Sequence, residues 1–181
     1  MSVAQGGIDF LLDPYRVLDL CDERGLLAGK ILADMGADVV QVEPPGGSPA
    51  RNVGPFHGDD PNPEKSLFWW AYAANKRSIT LDLENRDGQD LLRKLVAKSD
   101  FLIESFAPGY LENLGLDYGQ LSAINPRLVM VSITPFGQDG PYSNYQASDI
   151  VGMALGLSLI HISEPTRPRL ISYDVFSLKK K

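Results

Sequence analysis

The stretch "NKRSITLDL", Asn75 to Leu83, sets two adjacent cations, Lys76 and Arg77, directly ahead of a strand-like apolar run. A basic doublet there suits either a solvated turn or the gripping of an anion. The chain as a whole is acidic, with a formal net charge of −6. That balance argues against broad electrostatic attraction to nucleic acid or anionic lipid, so neither a nucleic acid nor a membrane is an expected partner. Any anionic ligand must be held locally, by a few fixed cations and backbone donors. Cys21 closes an apolar run, where a nucleophile could be presented, but no histidine lies near it in sequence, and it reads as a small buried hydrophobe. His57 falls in a Pro/Gly-rich loop and His161 near the end of the chain, so no histidine pair offers itself for a metal or for acid–base work. No metal is expected. The sequence holds no Walker loop, HExxH, GxSxG or CxxC.

The elements that must position these groups follow from periodicity. Tyr15–Cys21 and Ala37–Glu43 are continuous apolar strands. Between them, Leu26, Leu27, Ile31, Leu32 and Met35 recur as a helical stripe that Gly36 can stop. Parallel strands need such a crossover, so this is a βαβ unit. Pro44–Lys65 reads as a long loop leaving the carboxyl end of the second strand, a common place for function. "SLFWWAYAANK" reads as a short buried helix and "RSITLDL" as a strand. "NRDGQDLLRKLVAKS" is an amphipathic helix with Leu91, Leu92, Leu95 and Val96 on one face. The strand "DFLIESF", two short helices, the strand "RLVMVSI", a turn-rich loop and the helix "ASDIVGMALGL" complete the order. Five strands alternating with helices give an α/β fold: a Rossmann-like, doubly wound, mainly parallel sheet with flanking helices. Ligands of such sheets bind beyond the carboxyl ends of the strands.

From about Leu157 the pattern stops. "SLIHISEPTRPRLISYDVFSLKKK" keeps neither period, is broken by Pro165 and Pro168, and turns basic. The expected organisation is one nucleotide-binding domain over 1–157 and a non-native or disordered tail over 158–181. The N-terminus lacks a basic segment followed by a long apolar run, and no segment reaches the roughly 18 apolar residues of a membrane span. One cysteine excludes a disulfide framework. A soluble cytoplasmic protein is expected.

"VLDLCDERGLLAGKILADMGADVVQVEPPGG", "NKRSITLDLENRDGQDLLRKLVAKSDFLIESFAPGYLENLGLDYGQL" and "NPRLVMVSITPFGQDGPY" occur in this order. Together they resemble the class III coenzyme A-transferases, the group of formyl-CoA and carnitine CoA-transferases. The resemblance spans about Tyr15 to Leu157. It implies transfer of coenzyme A between an acyl-CoA and a carboxylic acid. In that chemistry an aspartate attacks the thioester to give a mixed anhydride, and the acceptor acid finally receives the coenzyme. Coenzyme A enters as substrate and acyl carrier; an interlocked homodimer is implied for the full-length form.

Carried across motif by motif, the coenzyme contacts fall on Arg24 and Gly25, on Leu81, Asp82, Leu83 and Glu84, on Ser105, Phe106 and Ala107, and on Gln146, Ala147, Ser148 and Asp149. The doublet Lys76 and Arg77 is then expected to lend positive potential to the nucleotide end of the coenzyme. Departures from the family pattern are Arg24 in place of a glutamine and Pro44 and Asn113 in place of arginines. The family's catalytic aspartate lies beyond the last helix, so no catalytic residue is assigned and Asp149 is not that residue. The chain is expected to be a fragment without transferase activity of its own. Three other readings compete. An acyl-CoA racemase of the same superfamily is weakened by Ser148, which stands where the racemase has a histidine. A coenzyme-binding module without chemistry would need no aspartate. A nicotinamide dehydrogenase would need GxGxxG where this chain has "DLCDERG".

Overall fold

In a computed structural model, residues 10–156 are described. The expected boundary at Leu157 and the tail 158–181 lie outside them. Five parallel strands, β1 (Arg16–Leu20), β2 (Asp38–Glu43), β3 (Arg77–Thr80), β4 (Phe101–Glu104) and β5 (Val129–Ser132), form one sheet in the order β3-β2-β1-β4-β5. The helices are α1 (Leu26–Asp34), α2 (Leu67–Ala73), α3 (Arg86–Val96), the short α4 (Tyr110–Asn113), α5 (Tyr118–Ile124) and α6 (Asp149–Leu155). Strand order reverses at β1, which places a crevice at the carboxyl ends of β1 and β4.

Alternation along the strands sorts the core into two faces. Leu18, Leu20, Val40, Val42 and Leu102 pack against Leu92 and Val96 of α3 and Leu121 of α5. Val17, Cys21, Val39 and Ile103 face the opposite way, toward Ala33 of α1. The expected inward stripe of α1 is corrected here: Leu27 and Ile31 are 53% and 49% exposed, while Leu26, Gly29 and Ala33 are buried. α1 lies close to the sheet on Gly29 and Ala33, and Leu27 and Ile31 turn outward. Leu91 of α3 is likewise exposed, leaving Gly88, Leu92 and Val96 to make the contact. Among the described residues no helix covers one face of β5, and Val129 and Val131 stay 48% and 44% exposed.

β3 is shorter than the run Arg77–Leu83 suggests. The Leu81 amide still donates to Glu43 O at 2.8 Å, but the chain then turns into α3. α2 ends at Ala73 rather than running to Lys76, because Asn75 adopts a φ of 65°, a left-handed conformation that asparagine tolerates better than most residues.

That turn delivers Lys76 into the sheet. The Lys76 ammonium and the Asp19 carboxylate are both fully buried, 2.7 Å apart, on the α1 face of the sheet. Lys76 Nζ also donates to Leu26 O at 2.9 Å and to Gln41 Oε1 at 3.2 Å. Three donors meet three acceptors, which is what a buried ammonium needs. Asp19 accepts the Cys21 amide at 3.0 Å, and Gln41 Nε2 donates to Cys21 O at 3.0 Å. Strands β1 and β2 and helix α1 are thus fastened at one point. A Cβ on Gly29 would collide with the Asp19 carboxylate, so α1 can cross here only as glycine.

Replacing Lys76 by Met should destabilise the chain by about 3–5 kcal/mol, because Asp19 is left buried and unpaired. The double change D19L/K76M should recover at least half of that loss. Urea unfolding of the three proteins measures both.

Candidate functional site

The crevice expected from the topology holds a cavity of about 300 Å³. Its walls are the loops that leave the carboxyl ends of the strands: Cys21 and Asp22 after β1, Glu43 to Pro49 after β2, Leu81 to Glu84 after β3, and Ser105, Phe106 and Tyr110 after β4. Each wall is tied to a neighbour. Between β1 and β4, Ser105 Oγ donates to Asp22 Oδ1 at 2.8 Å and accepts the Asp22 amide at 2.9 Å. Arg24 Nη2 donates to Ser105 O at 2.7 Å, and its Nε to Asp22 at 3.0 Å. Burial raises the Asp22 carboxyl, but the hydrogen bonds from Arg24 and Ser105 outweigh it and hold the group below its ordinary range.

Between β2 and its loop, Glu43 is the anchor. Gly46 and Gly47 both take positive φ, 91° and 92°, a turn that glycine makes without strain. This folds the loop back so that the Ser48 amide reaches Glu43 Oε2 at 2.8 Å, and Arg51 clamps both carboxylate oxygens at 2.6 and 2.9 Å. Ser78 of β3 donates to Oε1 as well. The Arg51 guanidinium lies 4.2 Å over the Trp69 ring, which fixes the loop on α2. Burial raises the Glu43 carboxyl, yet the Arg51, Ser78 and Ser48 hydrogen bonds win and hold it at about 2. An acid at the end of β2 is where a dinucleotide-binding sheet reads a ribose hydroxyl. Here four donors already fill its lone pairs, so Glu43 serves the fold and the dehydrogenase reading loses that contact too.

Between β3 and β4, Tyr110 Oη donates to Glu84 Oε1 at 2.6 Å, and the Phe106 and Tyr110 rings stack with centroids 4.6 Å apart. Burial, reinforced by Glu84, pushes the Tyr110 hydroxyl up to about 12. Cys21 lines the cavity, but burial and the adjacent Asp19 charge push its thiol far above the ordinary value, so it stays protonated.

Of the residues expected to touch the coenzyme, Leu81, Asp82, Leu83, Glu84, Ser105 and Phe106 converge on this cavity. Arg24 stands at its β1 wall, and Gly25 opens α1 directly behind, pressed so close to Cys21 that a Cβ would meet its sulfur at 2.5 Å. Ala107 turns instead to a neighbouring hollow of about 270 Å³ beside Glu104 and Gln138. Gln146, Ala147 and Ser148 lie exposed ahead of α6 and line neither cavity; Asp149 opens that helix. The doublet is placed differently from the expectation. Lys76 is sealed inside the sheet, where Asp19 uses its charge, and Arg77 turns to Asp38 at the amino end of β2, 2.7 Å away. Neither lines the cavity. Tyr110, Asp22 and the Glu43–Arg51 clamp were not anticipated. The signal for the clamp was present in a strand-ending glutamate followed by Gly-Gly and a loop arginine, whereas nothing in the sequence paired Glu84 with Tyr110.

Among the described residues no group of three His, Cys, Asp or Glu is arranged to hold a metal ion, and no helix is long and apolar enough to cross a membrane.

Residues 12–176 match the sequence profile of CoA-transferase family III. The chain belongs to that family. A succinyl-CoA:(R)-benzylsuccinate CoA-transferase subunit from Thauera aromatica is 45% identical over 141 residues, which are 78% of this chain and 34% of that protein. A formyl-CoA:oxalate CoA-transferase from Streptomyces avermitilis is 39% identical over 149 residues, 82% of this chain and 35% of the other. The crystal structure of a CAIB/BAIF family protein from Brucella suis superposes with a TM-score of 0.78 at 37% identity, covering 88% of this chain and 42% of that one. The chain therefore spans about a third of the length of these curated relatives.

The Glu43 clamp gives a pH dependence. A carboxyl lowered from an ordinary 4.5 to about 2 stabilises the fold fully above 4.5, and that contribution is lost as pH falls toward 2. The amount is about 3 kcal/mol at most. Glu43→Gln should cost about 2–3 kcal/mol at pH 7, and the gap to the parent should narrow below pH 4.5 and close only as pH falls to about 2. Urea midpoints of both proteins across that range measure it.

Proposed function

We propose that this crevice receives coenzyme A and that the chain serves the transfer of coenzyme A between an acyl-CoA and a carboxylic acid. The observation that carries the reading is the convergence of Leu81–Glu84 and Ser105–Phe106 on one cavity at the sheet's switch point. Those segments come from different loops, and the resemblance to the family assigns both to the coenzyme. Membership of CoA-transferase family III supports the same reading. The chemistry proposed for the complete protein is covalent. A carboxylate attacks the acyl carbon of the thioester, the coenzyme leaves as thiolate, and a mixed anhydride forms. The thiolate then attacks the enzyme's own carbonyl, freeing the donor acid and leaving an enzyme thioester. The acceptor acid enters through a second anhydride, from which the thiolate carries it away.

Within the described crevice, no carboxylate suits that attack. Asp22 and Glu43 have their oxygens filled by hydrogen bonds, and Asp82 and Glu84 belong to the wall assigned to the coenzyme. The family resemblance sets the nucleophile beyond the last helix, and on the same resemblance the whole protein is read as a cytoplasmic, interlocked homodimer.

Titrating this chain with coenzyme A in a calorimeter should give saturable binding, and absence of any binding heat would overturn the reading. The same chain, incubated with an acyl-CoA donor and a carboxylic acid, should yield no new thioester by chromatography. Turnover there would show that the nucleophile lies within it after all.

A further inference from the structure

The cavity has an electrostatic character that the coenzyme's phosphates do not match. Four carboxylates line it, those of Asp22, Glu43, Asp82 and Glu84, whereas among the described residues no lysine or arginine faces the cavity, Arg24 and Arg51 being turned to Asp22 and Glu43. Phosphate groups would meet like charge there at close range, which costs free energy in a partly desolvated site. Two of the four are already filled, Asp22 by Arg24 and Ser105, and Glu43 by Arg51, Ser48 and Ser78. Unfilled acceptor capacity is left on the β3–α3 loop. Among the described residues, Asp82 Oδ1 receives its own loop's Glu84 amide at 3.0 Å and no other donor, and Glu84 Oε1 receives Tyr110 Oη and no other donor.

Glu84 differs from Asp82 in being held from the far wall. The Tyr110 hydrogen bond crosses from the β3 side to the β4 side of the mouth, and the same tyrosine ring stacks on Phe106. A flat ring lying against that aromatic pair would bring its edge to the Glu84 carboxylate. A volume of about 300 Å³ admits a purine but not a whole coenzyme A.

We propose that Glu84 selects a ring bearing an amino donor in this cavity, and that Tyr110 is the positioning residue that holds Glu84 across its mouth. The inference rests on the coenzyme A reading above. It admits the adenine ring of the coenzyme and keeps the phosphates outside. Because the Tyr110 hydroxyl keeps its proton up to about pH 12, the clasp persists through the neutral range.

The test uses adenosine 3′,5′-bisphosphate, the nucleotide end of coenzyme A, and its purine riboside analogue, which lacks only the amino group. Binding of both to this chain is measured by calorimetry. The parent should prefer the adenosine compound by about tenfold, the worth of a hydrogen bond to a charged group. Glu84→Gln keeps an acceptor for Tyr110 but removes the charge, and should shrink the preference to about twofold. Tyr110→Phe keeps the ring and the charge but frees Glu84; it should weaken the adenosine compound severalfold and the analogue little. A parent that binds coenzyme A without preferring the adenosine compound would overturn the inference and leave the coenzyme reading standing. So would a preference unmoved by Glu84→Gln, while affinities unmoved by Tyr110→Phe would remove the positioning role. A parent that binds neither bisphosphate nor coenzyme A would sink the coenzyme reading itself.

Discussion

The buried pair of Lys76 and Asp19 is the constraint on which the rest of the sheet is built. A charge in the middle of a buried strand is tolerated only when a counter-charge and further hydrogen bonds satisfy it, and here every donor of the ammonium has an acceptor. The acceptors lie on β1, β2 and α1, and the donor arrives from the turn before β3. One residue therefore sets the register of four elements. The same point dictates Gly29, since α1 must pass close enough for Leu26 O to reach the lysine. With α1 fixed there, its N-terminus and Cys21 are placed at the crevice.

The walls of that crevice are held by a second kind of device. Asp22 and Glu43 are carboxylates whose lone pairs are filled by neighbours on adjacent loops, so they act as internal staples rather than as ligand groups. A long loop such as Pro44–Lys65 would otherwise lose much conformational entropy on ordering. Two glycines, one arginine and a tryptophan face suffice to pin its first third. Glu84 and Tyr110 form the third tie, between the β3 and β4 loops. The cavity is thus preformed on three sides by groups that need not move when a ligand enters.

The fold was largely legible in the sequence. Apolar runs ending at Cys21 and Glu43, with a helix between them, demand parallel pairing, and the same period returns three more times. The parallel α/β sheet follows from that pattern, while its order β3-β2-β1-β4-β5 and the place of its switch point come from the structure. What resisted reading was the destination of individual charges. Lys76 and Arg77 are adjacent in sequence, yet alternation sends one into the sheet and the other to its amino edge. Lys76 closes the turn and Arg77 opens β3, and successive residues of extended chain point to opposite sides, so this doublet does not act as one positive patch. The outward turn of Leu27 and Ile31 was equally hidden. It depends on how near α1 can approach the sheet, which is fixed by Asp19 and not by the helix's own periodicity.

β5 adds a consequence of a different kind. Among the described residues no strand pairs with its outer rim, and Val129 and Val131 stand exposed on one side. Such a rim is a template onto which another extended segment can zip, whether from a longer polypeptide or from a stray neighbour in concentrated solution. Handling this molecule at high concentration is accordingly a contest between intended growth of the sheet and adhesion between copies, decided at two valines.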